Sequence, residues 1–188
     1  MPVQFFDKPE VLLTYKKPCV VMVGGVPGSG KTTLLNRALP DDAFLLSADD
    51  YRGRVQERMG KPYDAHVDDA IPAARREFLA DLHKLLVYKV PVFIDAAYLT
   101  THSQTEISTI ASEHLIRSHV IMVEATLDEC LEGVRDRPRP VPEHIVRSYY
   151  RQWIYMRMLL EQNRLYGPVS GVVLSRQAAA TASVELVG

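Results

Sequence analysis

The stretch Gly25-Val26-Pro27-Gly28-Ser29-Gly30-Lys31-Thr32 constrains this chain more than any other. It fits the pattern G-x-x-x-x-G-K-[ST], and its surroundings fit as well. The apolar run CVVMVGG at 19–25 reads as a buried strand, and KTTLLNRAL after the loop reads as a helix. Glycines let such a loop wrap a phosphate and aim successive N–H groups inward, and the helix N-terminus adds positive potential. In that arrangement Lys31 reaches the β- and γ-phosphates of a nucleoside triphosphate, and the Thr32 hydroxyl can bind Mg2+. Gly25, Pro27, Gly28, Ser29, Gly30, Lys31, Thr32 and Thr33 are the expected nucleotide-binding residues.

Further strands read at AFLLS (43–47), VPVFID (90–95), HVIMVEA (119–125) and GVVLS (171–175). Helical patterns lie between them: DDYRGRVQERMG, a long stretch over 64–88, residues 103–115 with Ser103 as cap, LDECLEGVR, and a long helix opened by Pro142. Strands alternating with helices predict an α/β three-layer sandwich with a five-stranded parallel sheet covered on both faces. Residues 1–188 read as a single domain. The first seventeen residues and the tail from 176 are unplaced, with an edge strand or a partner contact as the two readings.

Composition narrows the partners. A net charge of −1 creates no global attraction for nucleic acid or an anionic membrane, so a polyanion site has to be a local basic patch. Cys19 and Cys130 read as buried thiols of a reducing cytosol. No apolar run is long enough for a membrane span and the N-terminus lacks signal-peptide regions, so a cytoplasmic protein is expected. The six histidines have no metal-ligand spacing, so no metal other than Mg2+ is expected.

A phosphate loop serves switches, motors and kinases alike. No guanine-reading N/T-K-x-D follows a later strand, which argues against a GTPase switch. Asp95 ends its strand alone, followed by Ala-Ala-Tyr, so it can hold Mg2+ through water but has no acidic neighbour to activate a hydrolytic water. A kinase instead needs a base near the acceptor and mobile cations over the transferring group. Arg135, Arg137 and Arg139, interleaved with Pro138, Pro140 and Pro142, make a stiff lid at about 135–142. Asp49 follows the second strand, where a parallel sheet opens its crevice, and Arg52 three residues on shares its helix face. Asp50 is adjacent, so the two cannot face the same point, and Asp50 is expected with Arg52 among the acceptor-binding residues. The competing reading is that Asp49 or Asp50 only caps the helix, and spacing does not divide the two. The aromatics of YYRQWIYMRMLL read as core, and Arg75 and Arg76 as a solvated helix face.

At these residues the chain resembles the P-loop polynucleotide 5′-kinases, typified by the bacteriophage kinase–phosphatase. GGVPGSGKTTLL resembles the family's loop, SADDYR its D-D-Y-R motif after the second strand, and RPRPVPEHIVRSYY its arginine lid. VFIDAAYLT is a weaker match, and the similarity runs from about Val20 to Tyr155. The resemblance implies that Asp49 is the general base activating a 5′-hydroxyl, and that Arg52, beside Asp50, contacts a phosphate of the acceptor. It implies that Lys31 and Thr32 hold ATP and Mg2+, that Arg137 or Arg139 bridges the donor phosphates, and that Arg135 lies against the adenine. The family often carries an Asp one place after Asp95, where this chain has Ala96, which leaves Asp95 to orient Mg2+ water. The implied function is ATP-dependent phosphorylation of a hydroxyl on DNA or RNA. Three alternatives accompany it: a kinase of hydroxymethylated pyrimidines in DNA, a zeta-toxin-like kinase of nucleotide sugars, and a non-catalytic nucleotide-dependent binding module.

Overall fold

A computed structural model describes residues 3–61, 70–135, 141–164 and 167–188. The strands are β1 (Gln4–Phe6), β2 (Leu12–Lys16), β3 (Cys19–Gly24), β4 (Phe44–Ser47), β5 (Val92–Asp95), β6 (Arg117–Glu124), β7 (Ser170–Ser175) and β8 (Ser183–Val187). The helices are α1 (Lys31–Ala38), α2 (Ala48–Arg58), α3 (Ile71–Val87), α4 (Thr101–Glu113), α5 (Leu127–Arg135), α6 (Glu143–Glu161) and α7 (Arg176–Thr181).

The α/β layering matches the expectation, but the sheet has six strands rather than five, in the order β1-β7-β6-β3-β5-β4, all parallel. The sixth strand is β1, drawn from the unplaced N-terminal segment, with Gln4–Phe6 paired to Val172–Leu174. Three residues carry no measurable periodicity, so only pairing across the whole chain makes them a strand. The tail supplies α7 and β8, and β8 pairs in parallel with β2 as a separate two-stranded sheet.

The side chains of β3 alternate between two apolar clusters. Val20 and Met22 pack into one, while Cys19, Val21 and Val23 pack into the other. Helices α3 and α6 cover the first face through Leu82, Leu86, Trp153 and Leu160. Leu34 and Leu35 of α1 and Ala178 and Ala179 of α7 cover the second. This two-sided cover explains why the strands are continuous apolar runs. Cys19 and Cys130 are buried free thiols, and burial pushes each up to about 11.

The chain leaves β3 toward β4 and β5 on one side and reaches β6 on the other. The strand order therefore reverses beside β3, and the strand C-termini open a ligand crevice there. Two helix caps differ from the expected ones. Thr100, not Ser103, caps α4, its hydroxyl accepting from the Ser103 N–H at 3.2 Å. Pro142 precedes α6 as its cap residue instead of standing in the first turn. Among the described residues no helix is long and apolar enough to cross a membrane.

Candidate functional site

The loop between β3 and α1 departs from the sheet at Gly25, whose N–H donates to the Ala97 carbonyl at 2.9 Å. Gly28 adopts φ 87°, and a Cβ there would overlap the carbonyl oxygen of Cys130 in α5. A Cβ on Gly133, one turn along α5, would overlap the carbonyl oxygen of Gly28 in return. The loop and α5 thus meet glycine to glycine, and backbone packing sets the curvature of the loop.

Lys31 lies over the loop, its Nζ donating to the carbonyls of Gly25 at 2.8 Å and Val26 at 3.0 Å. Ser29 is fully buried, and its Oγ has no hydrogen-bond partner among the described residues. No side chain caps α1 and no acidic residue stands in its first turn, so the positive end of the helix dipole faces the loop. A held ammonium, an orphaned hydroxyl and an uncapped helix start are a fit for a phosphate chain.

The loop forms one wall of a cleft with a volume of about 130 Å3. Pro27, Lys31 and Thr32 of the loop and α1 line it together with Asp49 and Arg52 of α2. The register pairs Ser47 with Asp95, so β4 and β5 end level and deliver Asp49 and Asp95 to the same opening. Thr32 and Asp95 there offer the hard oxygens that Mg2+ takes. The Asp49 carboxylate meets Arg52 Nη1 at 3.2 Å, with the Asp49 side chain 64% exposed and that of Arg52 21%.

Neither aspartate caps α2. Ser47 does so, accepting from the Asp50 N–H at 3.4 Å, which leaves the Asp49 carboxylate turned to the cleft. Asp50 is not brought to the cleft and instead lines a groove between β4 and α3 with Arg54 and Asp81. Thr33 is exposed on the first turn of α1, and Arg135 is exposed at the end of α5. Arg137 and Arg139 lie outside the described residues, so the lid is seen only through its flanks. Those flanks supply residues that sequence reasoning left without a role: Val141, just before α6, and Ile145 and Tyr149 in its first two turns also line the cleft. The spacing of four residues between Ile145 and Tyr149 was the available signal, since it puts these two on one face of α6, while Val141 precedes the helix.

Two more positions were missed. Gly133 carries no local cue beyond being a glycine inside a helix. Arg176 opens α7, donates from Nη1 to the Glu129 carbonyl at 2.7 Å, and flanks Gly30 on the β6 side of the loop. Gly133→Ala is expected to destabilise the fold and weaken ATP binding. Overpacking against backbone costs about 1–3 kcal/mol, and better helix propensity returns only about 1 kcal/mol. Thermal melting with and without ATP reads both effects, and a raised Tm would refute the glycine contact as a constraint on the loop.

A second recess, with a volume of about 210 Å3, lies between α2, α3 and α4. It shares Ala48, Arg52 and Ala96 with the phosphate cleft, so the two are adjacent.

Residues 20–155 match the family described as an AAA domain. Among curated proteins compared by sequence, none matches the chain. The fold is similar to that of a chain in the Pnkp1/Rnl/Hen1 RNA repair complex, with a TM-score of 0.64 and 17% identity over 77% of this chain and 46% of that one. This chain therefore spans less than half the length of that relative. A gluconokinase from Sinorhizobium meliloti 1021 is similar over 89% of this chain and 91% of its own, with a TM-score of 0.53 and 15% identity. A chain of the PezAT toxin–antitoxin system of Streptococcus pneumoniae is similar over 85% of this chain and 68% of its own, with a TM-score of 0.54 and 15% identity. At these identities the likeness is one of fold.

Proposed function

The chain belongs to the AAA domain family, and from the geometry of its site we propose that it is an ATP-dependent kinase that phosphorylates a hydroxyl on a nucleic acid, foremost the 5′-hydroxyl of an end. The carrying observation is that Lys31 and Asp49 line one cleft, which brings a phosphate-type loop and a carboxylate to the same opening. A donor loop alone only binds the nucleotide, whereas transfer to an alcohol also needs a base beside the acceptor oxygen, the role we assign to Asp49.

In this reading the acceptor hydroxyl lies against Asp49, which takes its proton as the oxygen attacks the γ-phosphorus. The new O–P bond forms in line as the bond to the β–γ bridging oxygen breaks, and ADP carries away the leaving electrons. Lys31 balances charge on the transferring group, and the uncapped start of α1 does the same for the phosphates behind it. Mg2+, held by Thr32 and Asp95, would supply further charge neutralisation across those phosphates. The ion pair at 3.2 Å lets Arg52 orient the Asp49 carboxylate and keep a cation on the acceptor side. Arg135, Arg137 and Arg139 act as the lid within a single kinase domain of residues 1–188. The nucleic acid assignment is supported by the SADDYR and RPRPVP resemblances and by the likeness of fold to the Pnkp1 complex.

The test is incubation with γ-labelled ATP and a panel of acceptors: 5′-OH DNA, 5′-OH RNA, hydroxymethyl-base DNA, nucleosides and nucleotide sugars. Label on a 5′-OH end is the expected result. Label only on a sugar nucleotide or a modified base would replace the acceptor. No label on any compound, with ATP still bound, would favour a nucleotide-dependent binding module.

A further inference from the structure

The recess beside the phosphate cleft has no part in the chemistry of Asp49 and Lys31. Its walls are Tyr51 of α2, Ala74 and Phe78 of α3, Tyr98 after β5 and Ile107 of α4, all buried. Ile71 stands at its rim, 38% exposed. Tyr51 and Phe78 meet edge to face with centroids 5.4 Å apart, which stiffens one wall. Water in such a space would have few partners on those walls. The volume of about 210 Å3 exceeds the roughly 150 Å3 of an engineered apolar cavity that admits benzene. The space therefore suits one ring system and not a stretch of chain.

The polar groups at the edges complete the pattern. Arg75 and Glu106 form an ion pair across the mouth, and Ser103 stands beside them. A heterocycle is apolar on its faces and polar at its edges, which matches apolar walls under a polar rim. The recess and the cleft adjoin at Ala48, Arg52 and Ala96, which line both. A molecule with its ring in the recess would present a hydroxyl beside Arg52, next to Asp49. Among the described residues, the two arginines that line the recess are matched to acids, Arg52 to Asp49 and Arg75 to Glu106. Strand binding, by contrast, combines stacking with a positive groove that follows the phosphates.

We propose that this recess seats the planar ring of the acceptor, a nucleobase-type heterocycle, so that the acceptor is recognised as one nucleoside unit and not as a strand. The inference rests on the kinase reading of the adjoining cleft. The unit has two possible sources, the terminal nucleoside of a nucleic acid or a free nucleoside, and they share the chemistry of a ring joined to a hydroxyl-bearing sugar.

The experiment is methyl NMR of the intact protein, with ADP present to keep the nucleotide loop filled. The Ile71 and Ile107 signals are assigned through Ile71→Val and Ile107→Val. Thymidine, guanosine, 2-deoxyribose, a 5′-OH oligonucleotide and the same oligonucleotide with an abasic 5′ end are titrated in turn. Both methyls are expected to shift with the nucleosides and with the base-bearing end. Loss of the base should weaken binding by about tenfold or more, as loss of a stacked ring does. Equal shifts from deoxyribose or the abasic end, or no shift with any nucleoside or base-bearing end, would overturn the ring site. A strand that binds more than about tenfold tighter than a nucleoside, with the steep salt dependence of phosphate contacts, would overturn recognition as a single unit. Comparable affinity of strand and nucleoside supports it, and transfer of label to each then names the source. Shifted methyls without any transfer would overturn the kinase reading and leave the ring site standing.

Discussion

Asp49→Asn is expected to slow phosphoryl transfer by about 10²–10⁴-fold, the usual contribution of a positioned general base, while ATP still binds. Asparagine keeps the size and shape of the side chain and removes its ability to take a proton. The substitution also breaks the ion pair with Arg52, but the Asp49 side chain is 64% exposed. An exposed pair of this kind contributes less than about 1 kcal/mol, so the melting temperature should barely move. Ser47 still caps α2, because the cap never depended on the aspartate. Single-turnover transfer and ATP titration therefore separate the possibilities. A near-wild-type rate would remove Asp49 from the role of base. A loss of ATP affinity equal to the loss in rate would mean that Asp49 acts through the nucleotide and not the acceptor. A binding module would keep its function altogether.

Lys31→Ala carries the other large effect. The ammonium is held at 2.8 and 3.0 Å by the carbonyls of Gly25 and Val26, so it stands at the loop before any phosphate arrives. Such a charge needs no reorganisation as the transition state forms, and its loss is expected to lower kcat by about 10²–10³-fold, with weaker ATP binding besides. Lys31→Arg should not rescue it, because a planar guanidinium cannot replace a compact point charge between two carbonyls. Rates and ATP affinity measured on variants of matched melting temperature check both statements. Transfer by Lys31→Ala at more than about a tenth of the wild-type rate would exceed what a preorganised donor's removal allows, and would end the assignment.

These two residues differ in how openly the sequence displayed them. Lys31 sits in a motif whose meaning is local: the glycines, the lysine and the following threonine act within one turn of chain, between a strand and a helix that are themselves local patterns. Asp49 was ambiguous, because a carboxylate at the start of a helix is an ordinary cap. In the fold Ser47 takes the cap, and the pairing of Ser47 with Asp95 brings the Asp49 carboxylate to the cleft. Asp50, its neighbour, turns into another groove.

The linear chain was sufficient for the phosphate loop, the alternation of strands and helices, and the parallel sheet covered on both faces, since each depends on residues a few positions apart. The folded chain was needed wherever distant segments meet. Gln4–Phe6 became a strand only by pairing with Val172–Leu174. Gly133 matters only because α5 packs its backbone on Gly28. The apolar recess exists only because α2, α3 and α4 converge around it. Short-range spacing encodes the phosphate loop, because such a loop is built by consecutive residues. The recess is assembled from three helices, and no local pattern can carry a shape to which each contributes one wall.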